Sequence, residues 1–516
     1  MGASQRATIS AMMRTCRTLY HTPQSSRILL QDGIMLQSDG QVVAFSRFML
    51  ASPTTRFHHL RALTFAKGNF SDEAIHAIKE LLAHPSLSID TLVLHDAERV
   101  VGSGYPQPAM LYDGGADGGA PLVDSFARLD TLKHLVMDGI DVCAAAVLEM
   151  LPSRLVSASL EYSTSVAEWS TLGHGNARNP IIHLVNLADT LEVLTGSEFD
   201  LPPAVIMYDV VYPRVRKIQA SFADCWLPSV VAYAHSYPNL EHLVLTTSNS
   251  RRGRGPMCAV DSFMAGDLEP VRRTNREDQA KYGSWKGLRL LEGALVSVYA
   301  LGLVCNVPEL RLAGDVTRDT IRLLDAVLCD VRPECLSLTA VGGFMFDEGS
   351  QLTQLLANPE VQCMTSLGLE LCFAPSEGDR DMAEITNNIL RSLAGLPLRR
   401  LELTLNYGLL TNPCGPPSWW PQISTSARYY CPAAKYLAEL DLDAYASRFG
   451  EMIPTLESVL VFRKDDPAGR RYLLGPRGRD SRSPSPGSSD NEVSIDPELA
   501  ELGFGGMLDD EDDYGW

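Results

Sequence analysis

The stretch PNLEHLVL at residues 238–245 is the clearest copy of a recurring pattern, in which a proline precedes apolar residues spaced as L-x-x-L-x-L. Further copies follow Pro213, Pro397 and Pro454, and looser ones follow Pro85, Pro152, Pro308, Pro333 and Pro359. Pro213 and Pro238 are 25 residues apart, as are Pro308 and Pro333. A period of about 20–30 residues is typical of stacked units that cannot bury an apolar face alone. The pattern therefore predicts a solenoid, a class of fold that mostly binds other molecules.

Each proline is expected to end one helix and lead into the next strand, since proline cannot continue a helix and moves the preceding residue out of the α region. Helices are predicted to begin at Ser71 and to cover Val142–Leu151, Arg318–Asp330 and Glu384–Ala394. Less regular strands are predicted at Leu60–Phe65, Leu92–Leu94, Leu132–Met137 and Leu367–Leu371. We count about a dozen such units. The alternative is an ordinary α/β domain with a parallel sheet.

The net charge of −19 is concentrated at the carboxyl terminus, because Asp490–Trp516 holds ten acidic residues and neither lysine nor arginine. Residues 464–516 are predicted to form a disordered acidic tail. The rest of the chain is only mildly acidic, which argues against a general attraction to nucleic acid. Two Ser-Pro pairs, at Ser483 and Ser485, are weak candidates for phosphorylation.

No run of apolar residues reaches the length of about 20 that spans a bilayer, so no membrane association is expected. Leu288–Val304 comes nearest, and we interpret it as a buried helix. The eleven cysteines are scattered without a C-x-x-C pair, which favours free thiols in a reducing compartment over a zinc site or a disulfide framework. We expect a cytoplasmic or nuclear protein.

The amino-terminal segment contains Arg6, Arg14, Arg17 and Arg27 and has no acidic residue before Asp32. An apolar face at helical spacing lies opposite these arginines, formed by Ile9, Met12, Met13, Cys16 and Leu19. This segment resembles the second half of an F-box, whose apolar face packs against the adaptor subunit of cullin–RING ubiquitin ligases. The resemblance makes these five residues the expected adaptor-binding residues. Two alternatives stay open: a mitochondrial transit peptide, and a plain helix that caps the solenoid.

The repeats themselves are similar to those of fungal F-box proteins that carry leucine-rich repeats, with residues 237–245 as the closest segment. The resemblance implies an α/β solenoid with a parallel sheet on the concave face and helices on the convex face. We expect a partial F-box-like helical segment over residues 1–54, an irregular repeat array over 55–463 and the tail over 464–516. Insertions are predicted at 102–121, 246–287 and 406–431.

Two of these insertions contain candidate binding residues. Residues 246–287 include a basic run with Arg251, Arg252 and Arg254, which suits an acidic or phosphorylated partner, although a solvated, disordered loop is the simpler interpretation. Residues 406–431 include Trp419 and Trp420, which anchor either a partner or a local hydrophobic cluster.

No motif for phosphate binding, nucleophilic catalysis or zinc-dependent hydrolysis occurs, so we expect neither an enzyme nor a cofactor or metal site. By resemblance, the chain is expected to recognise a protein target for a cullin–RING ubiquitin ligase. The alternative is a repeat scaffold with no role in ubiquitination. Our candidate target surface is the outward side of the strands, at positions such as Glu241, Arg311, Glu402 and Thr404.

Overall fold

The computed structural model describes residues 30, 33–66, 68–103, 122–163, 178–199, 209–222, 230–246, 265–347, 349–411 and 431–464. All of them belong to a compact unit that spans Met1–Gly475. A second unit, Pro476–Trp516, lies outside the described residues, as does the predicted acidic tail apart from Lys464.

The described residues form one sheet of fourteen strands, in which every strand pairs in parallel with its neighbours in the sequence. The strands are β1 Ile34–Leu36, β2 Ala62–Phe65, β3 Thr91–Leu94, β4 His134–Ile140, β5 Ser157–Tyr162, β6 Val193–Phe199, β7 Lys217–Phe222, β8 His242–Leu245, β9 Leu290–Ala294, β10 Glu309–Val316, β11 Cys335–Val341, β12 Ser366–Cys372, β13 Arg400–Asn406 and β14 Ser458–Arg463. Sequential parallel pairing over this many strands is the arrangement of an α/β repeat solenoid, which confirms the coarse fold prediction.

Helices connect most of the strands. They are α1 Asp39–Leu50, α2 Pro53–Arg56, α3 Asp72–Leu82, α4 Ala97–Val101, α5 Val123–Phe126, α6 Val142–Met150, α7 Pro180–His183, α8 Val230–Ser236, α9 Ala265–Tyr282, α10 Leu295–Leu301, α11 Ile321–Val331, α12 Gln351–Leu356, α13 Met382–Leu393, α14 Gly408–Thr411, α15 Pro432–Glu439 and α16 Leu442–Met452. Short 3₁₀ turns lie at Phe57–His59, Val185–Leu187, Gly343–Phe346, Pro359–Val361 and Pro375–Glu377.

The core lies between the sheet and the helices, because the strands alternate buried and more accessible residues at period two. In β12, for example, Leu367, Leu369 and Leu371 are buried. They pack in one continuous cluster with the apolar stripes of the helices, for example with Ile385, Ile389 and Leu393 of α13. This cluster runs the length of the array. Stacking therefore buries the apolar face that a single repeat leaves exposed.

Most prolines of the recurring pattern fall between a helix and the following strand, as predicted, whereas no helix is described between β6 and β7, where Pro213 lies. Pro152, Pro333 and Pro454 each follow the end of a helix by a few residues and precede β5, β11 and β14. Pro359 also lies between a helix, α12, and a strand, β12, but it begins a short 3₁₀ turn of its own. The predicted helix start at Ser71 is also confirmed: the Ser71 side chain accepts a hydrogen bond from the amide of Ala74 and caps α3.

The backbone immediately before each strand repeats one hydrogen-bonding pattern. The carbonyl of Arg216, for example, accepts hydrogen bonds from the amides of Glu241 and His242, and the carbonyl of Glu241 accepts from Arg289 and Leu290. We call these residues the edge row: Arg61, Asp90, Lys133, Val156, Glu192, Arg216, Glu241, Arg289, Pro308, Glu334, Thr365, Arg399 and Glu457. This row keeps the repeats in register even where the connections between strands differ in length.

Two sequence-based boundaries need correction. The repeat array begins before residue 55, since β1 pairs with β2 and α1 packs against α3. Residues 33–54 therefore belong to the first repeat. Leu288–Val304 is not one buried helix but the strand β9 followed by α10. Its mostly apolar composition concealed the change, because a buried strand and a buried helix have the same composition over short runs.

The insertion predicted at 246–287 also differs from expectation, because residues 265–282 form the helix α9. Its buried side is mostly polar: Arg272, Asn275 and Gln279 follow Leu268 at helical spacing and are at most 7% exposed. Their side chains cap the end of α10. Asn275 Nδ2 donates to the carbonyl of Ala300 over 2.9 Å, and Gln279 Nε2 donates to those of Leu301 and Gly302 over 3.2 and 3.0 Å. The carbonyls at a helix end lack partners within the helix, so these contacts satisfy them.

His183 is a buried histidine whose pKa predicts a pH-dependent stability. It is 5% exposed, its Nδ1 lies 2.9 Å from the hydroxyl of Tyr162, and burial lowers its pKa to about 4. As the pH falls below about 6.5, the imidazole of His183 is protonated in the unfolded chain but stays neutral in the folded state. We expect the free energy of unfolding to drop by up to about 1.4 kcal/mol per pH unit between pH 6 and 4 because of this residue.

Urea unfolding of the full chain at pH 7, 6 and 5 measures this effect. The slope attributable to His183 should disappear in His183→Gln and persist in His58→Gln, a matched change at an exposed histidine. Identical pH profiles for wild type and His183→Gln would contradict the assignment.

Within the described ranges, no helix combines the length and the apolar character needed to cross a membrane.

Candidate interaction surface on the open face of the sheet

The strand residues that point away from the helices form what we call the open face. Its central residues stand in register across all fourteen strands. From β1 to β14 they are Met35, Thr64, Val93, Val136, Ser159, Thr195, Gln219, Val244, Glu292, Arg311, Ser337, Gly368, Glu402 and Leu460. The first eight are uncharged, and charge begins at β9. We call β9–β13, where this central row carries Glu292, Arg311 and Glu402, the charged part of the open face. Charged side chains also lie outward on earlier strands, at Asp138 of β4, Glu161 of β5 and Lys217 of β7.

Arg311 lies at the centre of the first charged group. Its side chain is 53% exposed; Nη2 lies 2.6 Å from Glu309 Oε1, and Nη1 lies 3.9 Å from Glu292 Oε2. Glu292 is the neighbour of Arg311 in register on β9, and Glu309 is two residues earlier on β10. A cation between two carboxylates leaves this group with a net negative charge. The structure thus places the predicted residue Arg311 on the open face and surrounds it with acids.

Glu402 and Asp315 are exposed carboxylates on the same part of the face. Among the described residues, neither side chain has a hydrogen-bonding or ion-pair partner. An unpaired surface carboxylate is hydrated in the free protein. A cation of a partner can therefore pair with it without first breaking an ion pair within the protein. Glu402 is therefore well placed for the binding role that the sequence predicted.

Thr404 also occupies an outward position, but it is only 9% exposed. Its neighbours in register are Glu370 on β12 and Phe462 on β14. Lys464 Nζ lies 2.6 Å from Glu370 Oε1, and Asn406 Nδ2 donates to the same oxygen over 2.9 Å. Although burial acts to raise it, these hydrogen bonds hold the pKa of Glu370 below its ordinary value. Thr404 thus presents little surface to a partner, contrary to the prediction.

Glu241 lies beside the open face rather than on it, because the outward positions of β8 are His242 and Val244. As a member of the edge row, its carboxylate lies between two arginines. Arg216 Nη1 is 3.7 Å from Oε1, and Arg289 Nη1 is 3.8 Å from Oε2. Glu241 therefore links β7, β8 and β9 instead of being free for a target.

The ten charged members of the edge row alternate strictly in sign from Arg61 to Glu457. Eight of them form ion pairs with a neighbour in the row, and Glu192 and Glu334 do not. Asp90 pairs with Arg61 and Lys133 over 3.7 and 3.1 Å, and Arg399 pairs with Glu457 over 3.8 Å. Opposite charges on adjacent strands stabilise a sheet by about 0.2–1 kcal/mol per pair. Within the runs Arg61 to Lys133 and Glu192 to Arg289, a slip of one repeat would place like charges together. The edge row thus favours the observed pairing order.

The other candidate residues lie outside the described part of the chain. They are the expected adaptor-binding residues Ile9, Met12, Met13, Cys16 and Leu19, the basic residues Arg251, Arg252 and Arg254, and the tryptophans Trp419 and Trp420. Their roles stay predictions.

Four acidic residues of the charged part were not identified from the sequence: Glu292, Glu309, Asp315 and Glu370. Glu292 was assigned to a helix within Leu288–Val304, which removed it from the strand pattern. Period-two alternation was the available signal for two of them. Glu292 alternates with the inward Leu291 and Gly293, and Glu309 alternates with the inward Leu310 and Leu312.

Cys372, one of two cysteines on the strands of the charged part, is unsuited to nucleophilic chemistry. Burial, followed by the negative charges of Glu370 and Asp315, raises the pKa of Cys372 to about 11, so its thiol keeps its proton at neutral pH. The seven described cysteines are thiols and not disulfides: Cys143, Cys305, Cys329, Cys335, Cys363, Cys372 and Cys431. Among the described side chains, no three potential metal ligands come together.

Comparison with models of known protein families and with curated protein sequences finds no match to this chain.

Proposed function

We propose that this chain is a non-catalytic protein-binding subunit that holds a target protein on the charged part of its open face. The observation that carries the proposal is the contrast between two sets of charges. Eight of the ten charges of the edge row are paired with one another across the strands, whereas Glu402 and Asp315 on the open face have no such partner among the described residues. Charges that the fold does not use are available for recognition.

The sign of these charges indicates the kind of target. Over β9–β13, the acidic residues outnumber the cations Arg311 and Arg400, even when Lys464, which follows β14, is included. These acidic residues are Glu292, Glu309, Asp315, Glu370 and Glu402. A complementary partner carries a basic surface. We further propose that the repeats are leucine-rich repeats with the sheet on the concave side, as the resemblance implies.

The resemblance of the amino-terminal segment to an F-box adds to this proposal the complex in which the chain would act. If its F-box resemblance reflects function, Ile9, Met12, Met13, Cys16 and Leu19 bind the adaptor of a cullin–RING ubiquitin ligase in the cytoplasm or nucleus. The chain then performs no bond chemistry itself. It brings the target close to the ubiquitin-transfer machinery, and proximity alone is a large contribution to rate.

A second candidate is a scaffold without a role in ubiquitination. It is favoured by the charges of the open face, which lie within the repeats and do not depend on the amino-terminal segment. Such a scaffold would still use the open face, so the two candidates differ only in whether the adaptor binds.

Affinity purification of the tagged full chain from fungal cells tests both parts. Leu19→Asp should reduce recovery of the adaptor by at least about tenfold, because it puts a charge into an apolar contact, and should leave target recovery unchanged. Arg311→Glu combined with Glu402→Arg should have the opposite effect, with the target lost and the adaptor retained. The control combines Asp124→Arg with Arg128→Glu, two exposed residues around α5, and also preserves the net charge.

The outcomes separate the candidates. Wild-type protein that recovers targets but no adaptor supports the scaffold and removes the ligase role. Target recovery that is equal in wild type and in the Arg311/Glu402 double variant contradicts the open face as the binding surface.

A further inference from the structure

A cavity of about 280 Å³ opens where two neighbouring repeats meet at the carboxyl ends of β10 and β11. Its polar lining includes Arg318, Asp347 and Ser350, and its apolar lining includes Ile321, Phe344 and Leu352. Arg318 follows β10 by two residues, whereas Phe344 and Asp347 belong to the connection after β11. The cavity is thus lined by connections, beside the open face and away from the edge row. Loops at the carboxyl ends of parallel strands are where α/β proteins commonly bind ligands.

The polar groups of this cavity differ in whether they already have hydrogen-bonding or ion-pair partners within the protein. Asp347 Oδ1 lies 2.6 Å from Arg380 Nη2, and Arg380 Nη1 lies 3.5 Å from the buried carboxylate of Glu377. Ser350 Oγ donates to the carbonyl of Met345 over 2.5 Å and accepts from the amide of Thr353 over 3.3 Å. These groups hold the connection in place and are satisfied without a ligand.

Arg318 is the exception. Its side chain is exposed, and among the described residues its guanidinium has neither an ion-pair partner nor a hydrogen-bonding partner. A free guanidinium beside apolar walls is suited to a carboxylate that carries a hydrophobic group, since the planar donors of arginine match a carboxylate in two parallel hydrogen bonds.

We propose that this cavity binds a monovalent carboxylate with an attached hydrophobic body, with Arg318 holding the carboxylate and Ile321, Phe344 and Leu352 contacting the body. A single negative charge fits better than the two of a phosphate, because Asp347 lines the same cavity and repels the second charge. The volume equals that of about nine liquid water molecules, enough for one aromatic ring with a short acid chain. A small organic acid and the carboxyl end of a peptide share this chemistry. The inference does not rest on the proposed function.

Titration of the full chain with three probes, followed by saturation-transfer NMR and calorimetry, tests the proposal. The probes are 3-phenylpropionate as a small acid, N-acetylphenylalanine as a peptide end, and N-acetylphenylalanine amide as the matched probe without a carboxylate. We expect millimolar binding of one or both acids and at least about tenfold weaker binding of the amide. The acid that binds more tightly identifies the source.

Arg318→Ala should weaken binding of the acid at least about tenfold, and Arg318→Lys should restore part of the loss because the charge returns without the planar fork. Arg322→Ala is the matched control, since Arg322 is an exposed arginine one turn further along in α11 and does not line the cavity. Circular dichroism with thermal unfolding checks that each variant is folded. The proposal is overturned if wild type binds neither acid at 20 mM probe, if the amide binds equally well, or if Arg318→Ala and Arg322→Ala behave alike.

Discussion

Replacing Arg272 with alanine is expected to lower the free energy of unfolding by about 3 kcal/mol or more, since removal of one member of a buried ion pair typically costs about 3–5 kcal/mol. Arg272 is 7% exposed and forms an ion pair with Asp330 of α11. Its Nη1 also donates to the carbonyl of Tyr299 at the end of α10 over 2.9 Å. The change therefore removes a contact that joins α9, α10 and α11 and leaves the Tyr299 carbonyl without this donor. Arg276 still pairs with Asp330 and limits the loss.

The neighbouring residue provides the control. Arg273 is exposed in the same helix, so Arg273→Ala should change the free energy of unfolding by no more than about 0.5 kcal/mol. Urea unfolding followed by circular dichroism measures both variants. Equal destabilisation by the two changes would mean that α9 does not pack as described, whereas a large effect of Arg272→Ala alone supports the polar contact between the helices.

Leu403→Ala in β13 is expected to destabilise the chain by about 2–5 kcal/mol. Leu403 is fully buried and stands in register between Leu369 of β12 and Val461 of β14. Truncation removes apolar contacts and leaves a cavity that a stack of strands cannot easily close, because both neighbours are held by their own hydrogen bonds.

The adjacent residue tests the alternation directly. Glu402 points to the open face, so Glu402→Ala should leave the urea midpoint nearly unchanged, within about 0.5 kcal/mol of wild type in free energy. Comparison of the two unfolding curves is sufficient. If Glu402→Ala destabilised the chain as much as Leu403→Ala, the assignment of inward and outward residues in β13 would be wrong.

Much of the fold was predictable because its signals are local. The spacing Leu240, Leu243 and Leu245 after Pro238 requires only that proline end a helix and that a strand alternate at period two. For the same reason the amphipathic helices α3, α11 and α13 were found close to their observed ends. The strands β6 and β9 were not predicted, since neither follows a proline within a few residues.

The helix α9 shows why local signals were insufficient elsewhere. Its sequence is strongly polar and contains Pro270, which is typical of a solvated segment. Its polar side chains are nevertheless buried, because the carbonyls at the end of α10 accept their hydrogen bonds. Such a contact depends on a segment about 20 residues away, and nothing in either segment alone indicates it.

The sequence determined that this chain repeats, that each repeat contributes a parallel strand, and which leucines face inward, because these properties follow from bonding and burial within about ten neighbouring residues. Only the tertiary structure decided which charges meet. Connections of unequal length separate the strands, so the alternation along the edge row, the acidic surroundings of Arg311 and the cavity beside Arg318 emerge only when the repeats are stacked in register. Electrostatic contacts act through space over a few ångströms, and the order of residues along the chain does not specify that distance.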